Sequence, residues 1–176
     1  YDRADMVAPI VPENDLDDVP RIIRNYKRNS TTYGVTPELH QGLLQAYYAS
    51  VSYMDAQVGR VLDALQETGL ADNTIVVFTS DHGYHLGEHD FWAKVSLLDE
   101  SSGVPLIISV PGKEPGVCNS LVELLDLYPT LSSLCGLEVP GHVQGEDIGP
   151  MLDDPATEVR NAIFSTAPMR QGFLLR

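Results

Sequence analysis

The stretch TIVVFTSDHGYHLGEHDFWAK, from Thr74 to Lys94, constrains this chain more than any other. It opens on Ile75-Val76-Val77-Phe78, an apolar and largely β-branched run with no polar alternation. Such a run reads as a strand buried on both faces. It stops abruptly at Ser80-Asp81-His82-Gly83. In open α/β sheets the ligand crevice lies beyond the carboxyl ends of the strands, so a carboxylate and an imidazole at that point stand where chemistry is expected. His85, Glu88, His89, Trp92 and Lys94 follow before the next apolar segment.

The rest of the sequence is compatible with a domain built around such a strand. A length of 176 residues with 43% apolar and 20% charged side chains allows one domain with a sizeable core. The formal charge of −14 argues against nucleic-acid or anionic-membrane partners, and an anionic substrate would need local positive groups or a metal. Cys118 and Cys135 lack C-x-x-C or other ligand spacing, which disfavours a structural zinc site and leaves a disulfide unsupported. No apolar run approaches the ~18 residues that span a bilayer, and no basic-then-apolar leader opens the chain.

In chain order, residues 1–35 combine Asp15, Asp17 and Asp18 with Pro9, Pro12 and Pro20, and read as an extended surface segment. Thr36-Pro37-Glu38 then has the form of a helix start: a capping hydroxyl, a proline at the first helical position and an acid at the positive end of the dipole. Leu39, Leu43, Tyr47, Val51, Met54, Val58, Val61 and Leu65 recur at steps of three and four up to a stop at Gly69. A helix of about 30 residues would be roughly 45 Å long, enough to cover a sheet face, with Asp55 and Arg60 as solvated or structural charges. Residues 81–103 read as a long functional loop with one helical turn near Leu97 to Glu100. Val104 to Val110 reads as a second buried strand closed by Pro111-Gly112. Ser120 to Glu123 has the S-x-x-E form of a capping box, followed by a helix interrupted at Pro129 and ending at Gly136. Ile148 to Leu152 reads as a short turn, and Ala162 to Ser165 and Phe173 to Leu175 as strands. The chain stops at Arg176 within the last of these, so a piece of a longer polypeptide is expected.

Considered singly, the residues of the central loop leave alternatives open. Asp81 and His82 could share one cation where the backbone turns at the strand end, or simply cap amides and pack. Oxygen-preferring Ca²⁺ suits the carboxylate, whereas imidazole suits Zn²⁺ or Mn²⁺. His85, Glu88 and His89 could satisfy one another within a polar loop. Lys94 could supply positive charge to an oxyanion or snorkel at the surface.

Together, TSDHGYHLGEHDFWAK, VPLIISVPG and LLDLYPTLSSLCGL, preceded by YYASVSYMDAQVGRVLDAL, closely resemble the formylglycine-dependent sulfatases of the alkaline-phosphatase-like superfamily, nearest to iduronate-2-sulfatase-like members. The resemblance implies an α/β fold, a three-layer α/β/α sandwich on a mostly parallel mixed sheet, with residues 1–176 forming the second half of the catalytic domain and no second complete domain. It implies hydrolysis of a sulfated carbohydrate or small sulfate ester. Asp81 and His82 would be ligands of the cation, Ca²⁺ with Mn²⁺ or Zn²⁺ as alternatives, and Lys94 would contact the sulfate oxygens and stabilise charge. Asp55, Asp126 and Pro129 would be structural. The implied nucleophile is a formylglycine from a C/S-x-P-x-R motif, a form that neither Cys118-Asn119-Ser120 nor Cys135-Gly136-Leu137 has. It would come from outside this chain, installed by a formylglycine-generating enzyme, and the 176 residues alone would turn over nothing. A periplasmic, extracellular or lysosomal location follows from the same resemblance. The related alternative is a phosphoester or phosphonate monoester hydrolase, and the non-enzymatic one is a relic that keeps the fold as a binding module.

Overall fold

The computed structural model describes residues 1–24, 29–169 and 172–175. The chain divides into two compact units, Tyr1–Thr74 with Phe78–Ile107, and Ile75–Val77 with Ile108–Arg176.

The first unit begins with turns and short helical pieces, including α1 at Arg21–Arg24 and α2 at Ser30–Tyr33, where an extended segment was expected. Tandem backbone bonds such as Ile23 N–H to Pro20 O and Thr32 N–H to Asn29 O wind the segment locally. Residues 25–28 of that expectation lie outside the described residues. The long helix α3 runs Pro37–Glu67, with the Thr36 hydroxyl accepting from Leu39 N–H and Gly69 in the left-handed region at φ 69°, as the start and stop signals require. Its apolar stripe is not covered as expected. Leu44 is buried, but Leu39, Leu43, Tyr47, Val51, Met54 and Val61 are exposed. A helical period shows which side chains can be buried together, while burial depends on what is brought against them. Among the described residues, the helix is met by Tyr1, bonded to Ser52 and Gln45, by Tyr84, stacked on Tyr47, and by Trp92, edge-on to His40.

Strand β1, Val76–Thr79, follows a 3₁₀ turn at Ala71–Asn73 and is half-buried along its whole length. The expected loop at 81–103 is more regular than its weak periodicity suggests. It contains an antiparallel pair, β2 at His85–Leu86 and β3 at Trp92–Ala93, a 3₁₀ turn at Glu88–Asp90, and helix α4 at Asp99–Ser102. Glu88 closes that turn by accepting Leu86 N–H at 2.6 Å, and Phe91, Trp92 and Leu97 are buried around it. Strand β4, Leu106–Ser109, pairs with β1. Its burial alternates, with Ile107 exposed, instead of being complete.

In the second unit the expected helix starts later than the S-x-x-E pattern indicates. The capping box is formed by Glu123 and Asp126, leading through a 3₁₀ turn into α5 at Leu127–Leu134, while the Ser120 hydroxyl donates to Thr157 O at 2.7 Å. Pro129 therefore falls in the first turn of α5, where its missing N–H has no intrahelical role, and it interrupts nothing. Gly136 ends the helix at φ 69°. A 3₁₀ turn at Gly149–Leu152 carries the buried Met151, next to Ile148, whose N–H bonds the buried Thr130 hydroxyl. Strands β5, Thr166–Met169, and β6, Gly172–Leu175, form an antiparallel hairpin. The first lies four residues beyond its expected position, because Phe164 N–H is taken by the Glu123 carboxylate at 2.7 Å instead of a ladder. Arg176 lies outside the described residues. Cys118 and Cys135 are both free thiols.

Candidate active site

Asp81 and His82 leave the end of β1, and Lys94 follows β3, so a strand end and a hairpin arm converge on one point of the first unit. Lys94 Nζ lies 2.9 Å from His82 Nε2, and Asp81 Oδ2 lies 3.7 Å from the same nitrogen. The ring's other nitrogen, Nδ1, is 2.8 Å from the carbonyl oxygen of Gly83. A carbonyl only accepts and an ammonium only donates, so the hydrogen bonds assign the proton to Nδ1 and the lone pair to Nε2. The His82 ring is thus oriented by its own backbone, with Nε2 accepting from the Lys94 ammonium.

A metal-binding histidine is oriented in the same way, its other N–H being fixed by a carbonyl, and a cation would take Nε2 in place of the Lys94 ammonium. The Asp81 side chain is 86% exposed, so its carboxylate is open to a cation. The donor chemistry fits a divalent ion, but only as part of a ligand set. Ca²⁺ takes six to eight oxygens, and among the described residues no group of three or more His, Cys, Asp or Glu side chains could hold a metal.

Gly83 makes the geometry of this turn possible. A Cβ there would lie 2.0 Å from Glu100 O and 3.0 Å from Gly103 O, both backbone atoms. Gly83→Ala should therefore destabilise the fold by about 1–3 kcal/mol or more, the range for forced overpacking. Thermal unfolding checks this, and an unchanged Tm would refute the close approach.

Beside Asp81, His82 and Lys94 lies a layer of buried and half-buried polar side chains. His85 is fully buried, with Nε2 2.7 Å from the hydroxyl of Ser96. Burial pushes its pKa down, against a smaller upward pull from Glu100 and Glu88. His89 bonds Asp15 at 2.7 Å and faces Glu100 at 3.4 Å. Burial would lower its pKa too, but the bond to Asp15 and the two carboxylate charges outweigh that and raise it. Ser101 ties the two arms of the site together: its carbonyl accepts Gly83 N–H at 2.9 Å and its hydroxyl accepts Ser96 N–H at 3.2 Å. Sequence reasoning missed Ser96 and Ser101. Two serines in SLLDESS carry no distinguishing pattern; only their burial does.

Asp126 belongs to the second unit and is wholly buried. It accepts from Glu123 N–H at 2.7 Å, Glu146 N–H at 2.8 Å, and both Nη atoms of Arg160. Burial pushes its pKa up, but these donors together carry it below the usual carboxylate value. Asp55 is exposed on α3, and Arg60 bonds Gln57 in the same helix at 2.9 Å.

Residues 16–137 match the sulfatase family. The chain is 44% identical to human (Homo sapiens) iduronate 2-sulfatase over 63% of its own length and 25% of that protein's. Among solved structures, a phosphonate monoester hydrolase from Silicibacter pomeroyi superposes with a TM-score of 0.78 at 30% identity, covering 95% of this chain and 35% of that one. An enzyme solved with its substrate D-glucosamine-2-N,6-O-disulfate gives 0.67 at 27%, covering 92% and 35%. The chain thus spans about a quarter of the length of the iduronate 2-sulfatase it matches. Its α/β fold is the alkaline-phosphatase-like fold of these enzymes. With more than half of its length inside the family match, the chain belongs to the sulfatase family.

Proposed function

We propose that these 176 residues are the second half of a sulfatase catalytic domain, and that the whole protein hydrolyses a sulfuric ester of a sugar or related compound. The observation that carries this reading is the Lys94–His82–Asp81 convergence, which brings an ammonium, an imidazole and an open carboxylate from two segments to one point. The sugar follows from the relatives, one named for iduronate and one solved with a sulfated glucosamine.

Asp81 and His82 would hold the divalent cation, Ca²⁺ in our reading, which would displace Lys94 from His82 Nε2. The cation would supply Lewis-acid charge, and a formylglycine from residues outside this chain the nucleophilic oxygen. Lys94 would face the peripheral oxygens of the ester and offset charge that grows on them. The Nδ1–H bond to Gly83 O keeps the His82 lone pair aimed as chemistry proceeds. Formylglycine-generating enzyme would be the partner for maturation, and the family's export to periplasm, cell surface or lysosome would apply. No described helix is long and apolar enough to cross a membrane.

A second reading, a phosphoester or phosphonate monoester hydrolase, is favoured by the structural match to the Silicibacter enzyme and by the imidazole ligand, which suits Mn²⁺ or Zn²⁺. The test is hydrolysis of an aryl sulfate against the matching aryl phosphate by the full-length protein, co-expressed with formylglycine-generating enzyme and supplied with each metal in turn. Sulfate preference with Ca²⁺, lost on chelation, is expected. Phosphate preference with Mn²⁺ or Zn²⁺ would transfer the protein to the neighbouring branch, and no turnover of either would support a non-catalytic binding role.

A further inference from the structure

Lys94 stands between two non-glycine residues in the left-handed region of backbone space, Ala93 at φ 66° and Val95 at φ 75°. For a β-branched residue this is a genuine outlier, since its Cβ crowds the backbone. The Val95 side chain is itself exposed, so its own packing does not explain the conformation. Strained backbone persists only where its surroundings over-determine it.

The surroundings here are specific. His85, fully buried on β2, is the ladder partner of Ala93, and its Nε2 lies 2.7 Å from the hydroxyl of Ser96. One imidazole-bearing residue thus grips the chain on both sides of Lys94. Ser96 is buried as well, accepts Leu98 N–H on its hydroxyl at 3.1 Å and gives its own N–H to Ser101. The free end of this held segment is the Lys94 ammonium, 2.9 Å from His82 Nε2.

We propose that His85 and Ser96 are positioning residues: their buried hydrogen bond holds residues 93–96 in a conformation that local preference rejects, and that conformation aims Lys94 at the site. The inference rests on the role given to Lys94 above, deepens it, and is tested by a measurement independent of catalysis.

That measurement is competitive acetylation of the full-length protein under chelation, read at Lys94 by mass spectrometry against Lys113, alongside kcat/KM for the sulfate ester with the metal restored. Ser96→Ala should speed acetylation at Lys94, as its ammonium leaves His82, and lower kcat/KM roughly 10- to 10²-fold, the scale of a small misplacement. Ser96→Thr, which keeps the hydroxyl, should restore both. Val95→Gly should lessen the need for the anchor, because glycine takes positive φ without steric penalty at the more crowded of the two strained positions. The double variant Ser96→Ala/Val95→Gly should therefore return Lys94 labelling toward wild type, a rescue that a merely structural role for Ser96 does not predict. Wild-type labelling in Ser96→Ala, or a double variant no different from Ser96→Ala, would overturn the proposal. The expected labelling with unchanged kcat/KM would uphold the positioning and overturn the role of Lys94 in ester hydrolysis.

Discussion

Replacing Arg160 with methionine should destabilise the protein by about 3–5 kcal/mol at pH 7, the cost of stranding one partner of a buried ion pair. Asp126 is wholly buried and Arg160 is 13% exposed, and the guanidinium engages both carboxylate oxygens while also facing Glu123 at 3.2 Å. Without it, among the described residues, the N–H groups of Glu123 and Glu146 remain to Asp126 against the burial of its charge. The pH dependence has a definite sign. In the wild type the carboxyl pKa is lowered, so its contribution is present above the ordinary carboxylate value and lost as pH falls through the folded value. In Arg160→Met the same carboxyl protonates at higher pH, which removes the stranded charge, so the gap between variant and wild type should narrow on acidification. Urea unfolding at two pH values checks both points. A loss below about 1 kcal/mol would mean that the pair behaves like a surface bridge.

Lys94→Ala should lower kcat/KM for the sulfate ester by about 10²–10³, the loss typical of one charged stabilising donor at a developing anion. The side chain is exposed, and its described bond is to His82, so stability should change by no more than about 0.5 kcal/mol. That split between activity and stability is what separates Lys94 from Arg160. Unchanged kinetics in the full-length enzyme would remove Lys94 from the reaction.

These two residues also show what could be read before any coordinates. Lys94 was visible because it closes a recognisable string beginning at Asp81. Arg160 was not visible, since 34 positions separate it from Asp126 and nothing in EVRNAI distinguishes it from a surface arginine. Capping and stop signals were legible where they act over three or four residues, as at Thr36, Gly69 and Gly136. The capping box was misplaced by one turn because Ser120 and Glu123 can each start a helix, and the choice went to the residue whose partner, Asp126, is itself fixed by Arg160. The hairpin inside 81–103 was missed because two-residue strands are too short to show a period.

The sequence by itself determined the strand that delivers Asp81 and His82, the long helix with its cap and stop, and the motif string that marks the family. All of these depend on neighbours along the chain. Tertiary structure alone decided which imidazole nitrogen of His82 faces Lys94, that His85 and Ser96 grip the segment around Lys94, and that Asp126 meets Arg160. Hydrogen bonds and ion pairs between distant residues have no local signature: they exist only once the chain has closed and water has been excluded from around them, which makes each unmade partner costly.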